Sequence, residues 1–453
     1  MFERLAKHSV EALVASLPQR GQGYLYNILR REMHSVCPND ESHLPAVVQA
    51  LAVGDFGTAR RTMIEYARRT PIDTTIAAQL RRIDFLEARS IDEYAQANTR
   101  EFREVVSAMN DEIRSVPKYV PSSFWETIGN FHYELLERYG VENFKRTVSH
   151  SYQNWLMTSL DEPQVRRILE LWPGLESTEP WFNTIEIPSH VGFHLSLDFN
   201  KPFYPLAFAE MREVYRIAVS ILWEYVKNGD RHGILHSLEE SEFGNPVRIH
   251  TSNGTRISSD IAHSVRERNL FLDTLGFNGT EGLTVAELGA GQGRLAEVLG
   301  KSTNYRYLIF DITPALYVSQ WYVKKLFPEE SIFEFRHFER FEDIREELEQ
   351  SRFAFFTANQ IEKFPDASID LFLNMNSLME MAPAQIENYL VEISRLTRTG
   401  FFSRQWFRWT NSIEHHTVEK DDFRLPAPEW SLALDATDDI YPEFFNQLWR
   451  RRR

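Results

Sequence analysis

The sequence predicts an α/β chain, with a doubly wound and mostly parallel sheet at the C-terminus preceded by a large all-helical region. Three observations carry that prediction. From residue 283 onward, short apolar runs alternate with helical patterns, which argues strand–helix–strand units. Three glycines at alternate positions, Gly289, Gly291 and Gly293, break the chain just after the first run. Residues 1–250 instead carry apolar positions at helical spacing over long stretches.

The 453 residues allow two or three domains, placed at 1–115, 116–250 and 251–453. Hydrophobic residues make up 43%, enough to bury a core, which excludes a disordered chain. The net charge of −15 argues against a nucleic-acid partner, and the run Arg450 to Arg453 reads as a solvated end. One cysteine, Cys37, excludes an internal disulfide and a cysteine-rich metal site. No apolar run approaches the ~20 residues that span a bilayer. Acids and polar residues interrupt the first apolar positions, so no signal peptide is expected and the chain reads as cytoplasmic.

Residues 1–115 read as helical. Gly54, Asp55, Phe56, Ala59 and Pro71 have the spacing of half a tetratricopeptide unit, but no second copy follows, so a packed helical hairpin is expected. Residues 116–250 are helical and aromatic-rich. A helix from Tyr204 to Tyr225 places Leu206, Met211, Val214, Ala218, Leu222 and Tyr225 on one face as core. The segment Pro188 to His194 is irregular and carries His190 and His194, so it could wall a pocket. Ser258, Ser259 and Asp260 cap a helix to about Leu275.

The strands then follow in order. Leu283–Leu288 is the first, Tyr305–Phe310 the second, Phe353–Thr357 the third, Asp370–Met375 the fourth and Phe401–Trp406 the fifth. Pro314 starts a helix that ends near Pro328, a charged helix covers 340–350, and the helix 383–397 buries Ile386, Leu390, Ile393 and Leu396. Trp430–Leu434 and Phe444–Trp449 alternate apolar and polar residues and close the sheet as a hairpin.

A strand, a glycine turn and a helix make a nucleotide-type site: the glycines let backbone approach a ligand, and the helix start offers free N–H groups. A dinucleotide turn wants G-x-G-x-x-G, whereas the third glycine here comes one place early and Arg294 stands where that glycine belongs. Glu287 lies two residues before the first glycine. This E-x-G-x-G-x-G pattern resembles motif I of the Rossmann-like methyltransferases, which bind S-adenosylmethionine (SAM). The resemblance implies a Rossmann-like SAM methyltransferase domain at the C-terminus behind the helical N-terminal region. It assigns Glu287, Gly289, Gly291 and Gly293 to the cofactor. Asp311, ending the second strand, is assigned to the two ribose hydroxyls, and Asn359 and Gln360 to the adenine. Phe364–Leu371 looks like the F-P-D-x-S-x-D turn that precedes the fourth strand in such enzymes.

Further stretches are similar to a group of bacterial sugar O-methyltransferases over residues 115–453: Tyr139–Thr147, Glu240–Pro246, Asp311–Leu316, Asn374–Met381 and Arg404–Trp406. Asn376 is assigned to the cofactor on that basis, and a sugar or glycosylated metabolite is the implied small-molecule acceptor. A sugar hydroxyl is hardly ionised at neutral pH, so a positioned base must take its proton. Glu380, past the fourth strand, is the first choice; His415 and His416, in the loop after the fifth, are the second. A magnesium ion could acidify the hydroxyl instead. The cluster Glu414, His415, His416 and Asp421 fits no ligand spacing, so no metal is predicted. Three other readings stay open: a SAM-binding scaffold without catalysis that serves interaction, a methyltransferase for another small-molecule acceptor, and a reductase binding NAD, the last disfavoured by the glycine register. The acceptor and the oligomeric state, monomer or homo-oligomer, are not legible.

Overall fold

The computed structural model describes Thr58 and residues 99–148, 163–171, 182–186, 209–411, 413–425 and 428–452. The expected tetratricopeptide-like hairpin (Thr58 apart), Cys37 and the Pro188–His194 loop lie outside them. The chain divides into two compact units. The described parts of one come from Leu135–Asn228 and Glu239–Ser259; the other comprises Asn98–Glu134, Gly229–Leu238 and Asp260–Arg453.

The helices are α1 (Thr99–Arg114), α2 (Ser123–Tyr139), α3 (Pro163–Leu171), α4 (Ala209–Gly229), α5 (Ser259–Leu275), α6 (Arg294–Ser302), α7 (Ala315–Leu326), α8 (Arg345–Gln350) and α9 (Pro383–Leu396). In the first unit, α4 buries Ile217, Ala218, Ile221 and Leu222 completely, because its apolar residues run around the helix rather than along one stripe. Residues 116–250 were expected to be helical, yet β1 (Thr184–Glu186) and β2 (Arg248–His250) lie in that stretch and form a small antiparallel sheet with β3 (Arg256–Ile257) just beyond it. A buried ion pair between Lys145 and Glu240 holds this unit, and Gly244 must be glycine because a Cβ there would lie 2.5 Å from Phe144.

The second unit is built on an eight-stranded sheet. Its strands are β4 (Thr284–Leu288), β5 (Arg306–Asp311), β6 (Ile332–Phe333), β7 (Phe353–Thr357), β8 (Ile369–Met375), β9 (Thr397–Trp406), β12 (Trp430–Thr437) and β13 (Phe444–Arg451), with the separate hairpin β10 (Arg408–Asn411) and β11 (His416–Glu419). The order is β12-β13-β9-β8-β4-β5-β7-β6. Pairs from β6 to β9 are parallel, and β13 runs antiparallel to β9 and to β12. The five strands read from the sequence are all present, as is the late hairpin at the antiparallel edge.

Both faces of the parallel half are covered, which is why its strands read as continuous apolar runs. Tyr307, Ile309, Phe353, Phe355, Leu371 and Leu373 point into one core with Phe271 and Leu299. The alternate residues face the other way, where Phe310, Phe356 and Phe364 pack as a ring cluster with centroids 4.9–5.3 Å apart. Fully burying each such side chain contributes about 1.5–3 kcal/mol. The chain steps from β4 to β5 and β7 on one side, then returns to β8 and β9 on the other. The crevice beyond the carboxyl ends of β4 and β8 is thus the topological switch point, where open α/β sheets bind ligands.

Candidate functional site

The turn after β4 occupies that crevice. Gly289, Gly291 and Gly293 all have positive φ, at 71°, 59° and 84°, a region that side chains with a Cβ avoid. Gly289 answers a second constraint: a Cβ there would lie 2.3 Å from Ser377 Oγ. Ser377 belongs to the connection after β8, and its hydroxyl donates to the Leu288 carbonyl at 3.2 Å. Asn374 Nδ2 donates to the same carbonyl at 2.8 Å and to Ser377 Oγ at 2.6 Å. The ends of β4 and β8 are stitched together this way.

The turn is also tied to β5 and α5. Gly289 N–H donates to the Phe310 carbonyl, and Gly291 N–H donates to Asp311 Oδ2 at 2.8 Å. Ile312 N–H donates to Asp311 Oδ1 at 2.7 Å. Gln292 reaches Asp260, and Arg294 forks onto Glu267 at 2.7 and 3.0 Å. Arg294 is thereby spent on structure, turned away from the turn it follows.

Two buried carboxyls flank the glycines. Asp311 is raised to about 7 by burial, which outweighs the N–H groups of Ile312 and Gly291. Each oxygen still has acceptor capacity beyond its one backbone donor. Glu287 is likewise raised to about 7 by burial, although the Tyr307 hydroxyl donates to it at 2.5 Å and Arg294 is near.

Asn359 and Gln360 follow β7 in the 3-10 helix Ala358–Lys363. Gln360 spends both ends of its amide on backbone: Oε1 accepts from Thr357 N–H and Nε2 donates to the Arg336 carbonyl. Each end keeps one further site, a lone pair on Oε1 and an N–H on Nε2. Asn359 is different. Its Nδ2 donates to the Glu112 carbonyl at 3.0 Å and to Glu112 Oε1 at 3.3 Å, while its Oδ1 is buried without a partner. Both neighbours are acceptors, so the nitrogen must face them and the oxygen must face away. Glu112, on α1, also accepts from Lys363 and His337; those partners hold its carboxyl below the usual range against the opposing effect of burial.

Asn376 and Glu380 lie beyond β8. Asn376 has φ 60°, its N–H donates to the Arg404 carbonyl, and its Oδ1 accepts from Arg404 Nη1 at 2.8 Å. Arg404 is itself buried against Asp438, which also pairs with Arg266. Glu380 is half-buried, and among the described residues its carboxyl has no hydrogen-bond or ion-pair partner. Burial alone lifts it to about 8.

The segment after β9, expected as a long loop, contains the hairpin β10–β11. His415 sits exposed at its turn with φ 56°. His416 pairs across from Asn411 on the inward face with Trp409 and Val418. Its Nδ1 lies 3.6 Å from Glu414 Oε2, and its Nε2 is buried without a partner. Glu414 Oε1 accepts from Ser123 N–H and Oγ at 2.8 and 2.9 Å. Among the described residues, no group of three or more His, Cys, Asp or Glu is placed to hold a metal ion. No helix there is long and apolar enough to cross a membrane.

The structure brings Glu287, the three glycines and Asp311 into one crevice, with Asn376 and Glu380 in the connection stitched to it. His415 and His416 stand on a separate hairpin. Sequence reading missed Ser377, Tyr307 and Glu112; only Ser377 carried a local signal, as the third residue after the buried Asn374.

No family model matches the chain, and no curated protein matches it. Solved structures similar to it include the PH0226 protein of Pyrococcus horikoshii OT3, at 13% identity over 41% of this chain and 91% of that one, with a TM-score of 0.29. Magnesium protoporphyrin IX methyltransferase of Synechocystis PCC 6803, with bound SAM, is 13% identical over 43% and 82%, TM-score 0.29. The 1,6-didemethyltoxoflavin-N1-methyltransferase of Burkholderia thailandensis, with S-adenosylhomocysteine, is 13% identical over 43% and 79%, TM-score 0.31.

Proposed function

We propose that this chain is a SAM-dependent O-methyltransferase whose acceptor is a hydroxyl of a sugar or glycosylated metabolite. The observation that carries the reading is the glycine turn at the switch point, pinned through Gly291 N–H to the buried Asp311 carboxyl. The residues present suit SAM. A Cβ-free turn leaves room for the amino-acid end, Asp311 retains acceptor capacity for two adjacent hydroxyls, and Asn359 Oδ1 is an unpartnered acceptor for an exocyclic amine. The turn departs from the pyrophosphate-binding spacing, because Arg294 stands where the third glycine of that pattern falls.

When bound, SAM supplies a methyl group on a cationic sulfur. The chain has to do three things around it. The β4–α6 turn and Asp311 hold the cofactor in register. The connection after β8 presents Asn376 and Glu380 at the sheet's carboxyl edge. A base must accept the acceptor's proton, worth about 100- to 10,000-fold in rate. Glu380 and His416 are the candidates, and His415, exposed, is suited to acceptor binding. The implied partner is a small-molecule acceptor, and the acidic net charge argues against nucleic acid.

Calorimetry of the full chain tests the cofactor: heat with SAM or S-adenosylhomocysteine and none with NAD is expected. Tight NAD binding would sink the reading. Heat with SAM but no methyl transfer to any hydroxyl compound favours the non-catalytic scaffold.

A further inference from the structure

The hairpin β10–β11 carries a polar relay that the glycine turn does not need. At its start stands Ser123, the first residue of α2, whose N–H and hydroxyl both donate to Glu414 Oε1. A carboxylate at a helix start is favoured by the free N–H groups there. With Oε1 engaged twice, Oε2 is the oxygen left to face inward, toward Asn411 Nδ2 at 3.3 Å and His416 Nδ1 at 3.6 Å. His416 shares the inward face of the hairpin with Trp409, its ring centroid 6.3 Å away. At the far side of the imidazole, Nε2 is shut from solvent with no partner.

We propose that Ser123 and Glu414 are positioning residues that fix His416 as the proton acceptor for the hydroxyl to be methylated. A carboxylate can only accept, so its presence at Nδ1 keeps the proton on that nitrogen and the lone pair on Nε2. A buried acceptor left unsatisfied is costly, and the cost is removed when a ligand hydroxyl donates to it. Glu380 lacks any such orienting group. In the step, the hydroxyl proton passes to His416 Nε2 while the oxygen–methyl bond forms and the sulfur–methyl bond breaks. The products are the methyl ether, S-adenosylhomocysteine and an imidazolium whose charge Glu414 balances. The assignment of a base rests on the methyltransferase reading; the tautomer does not.

Two measurements on the full chain separate the two. The first labels the rings of its 14 histidines with heavy nitrogen and assigns His416 by difference with His416→Gln. A protonated Nδ1 and an unprotonated Nε2 are expected, with Glu414→Gln mixing the tautomers and Glu414→Asp restoring them. An Nε2-protonated ring, or one indifferent to Glu414→Gln, overturns the proposal whatever the enzyme does. The second follows radiolabelled SAM with a panel of free hexoses, nucleotide sugars and glycosides. His416→Gln should lower kcat about 100-fold or more with SAM affinity unchanged. His416→Asn is the second variant should the first misfold. Ser123→Ala and Glu414→Gln should lower kcat more than they raise KM. Turnover near the native rate in His416→Gln overturns the proposal. Should the native chain methylate none of the panel, it is the hydroxyl acceptor that fails, and the ring tautomer alone then decides for or against the relay.

Discussion

Gly289→Ala is the sharpest test of how the crevice is built. The backbone there has φ 71°, and forcing a residue with a Cβ into that region costs about 1–2 kcal/mol. The new Cβ would lie 2.3 Å from Ser377 Oγ and 2.5 Å from Ser377 Cβ, so Ser377 must move. Moving it breaks the bonds that its hydroxyl makes with Leu288 and Asn374, at about 0.5–1.5 kcal/mol each. Together the loss is about 2–5 kcal/mol. Gly276→Ala is the control, because its φ is 76° but nothing stands within 4 Å of the added Cβ, so it should lose only the backbone part. Urea unfolding of both variants reads the difference, and calorimetry should show SAM affinity falling about 10-fold or more in Gly289→Ala alone, since 1.4 kcal/mol is tenfold. Adding Ser377→Gly to Gly289→Ala should recover part of the stability, a coupling that a double-mutant cycle measures. Equal stability for the two alanine variants, or intact SAM affinity in Gly289→Ala, would refute the stitched turn.

Three more outcomes follow from the same geometry. Asp311, raised to about 7 by burial, must be ionised to serve two hydroxyls, so SAM affinity should rise as pH climbs through about 7 and weaken below it; Asp311→Asn should bind about 10- to 100-fold less tightly and lose that pH dependence. Glu380, raised to about 8 by burial, contributes stability that is full below its ordinary value of 4.5 and is lost progressively as pH rises to about 8; thermal melts should show Glu380→Gln gaining on the native chain between about pH 5 and pH 8 and holding level above that, and a constant gap would contradict the burial. Glu112→Ala removes the carboxylate shared by Lys363, His337 and Asn359 Nδ2, leaving Nδ2 the backbone carbonyl of residue 112 and Lys363 Nζ the Phe338 carbonyl, so denaturant unfolding should register a loss of about 1–3 kcal/mol. A neutral effect would place α1 outside the unit's structural economy.

The parts of the site that sequence reveals are those made by neighbours in sequence. Glu287, Gly289, Gly291 and Gly293 fall in seven consecutive residues, and a buried parallel strand announces itself as an unbroken apolar run. What stays hidden is long-range. Asn359 owes its orientation to Glu112, 247 residues away, and no pattern around either residue predicts the meeting. The hairpin β10–β11 was read as loop because its outer face, Arg408, Thr410, Thr417 and Glu419, is polar and its inner face includes Asn411 and His416. With polar residues on both faces the period-two signal disappears. Gln360 carries a constraint of both kinds: its Oε1 caps its own turn through Thr357 N–H, while its Nε2 donates to the Arg336 carbonyl, 24 residues away.

Apolar packing holds both halves of the sheet, and the half toward β13 adds charge, which bears on where chemistry can be placed. The side toward β7 is fixed by rings and aliphatic chains. The side toward β13 buries Phe402 and Leu448 in the same core and adds a charged cluster: Arg404, buried on β9, meets Asp438, which Arg266 meets from α5, and its ring neighbour Phe444 lies 4.0 Å from the guanidinium. Arg266 and Arg404 hold the Asp438 carboxyl well below the usual range, overcoming the opposing effect of burial. Such a triad is poor value as stabilisation, since apolar replacements of similar volume often do as well. What apolar side chains cannot do is donate a directed hydrogen bond to Asn376 Oδ1, and Arg404 does so at 2.8 Å while its own carbonyl takes the Asn376 N–H. Asn376 is thereby held at φ 60°, four residues before Glu380. The connection after β8 is set by a charged clamp in a place where packing alone would leave it free to choose another conformation.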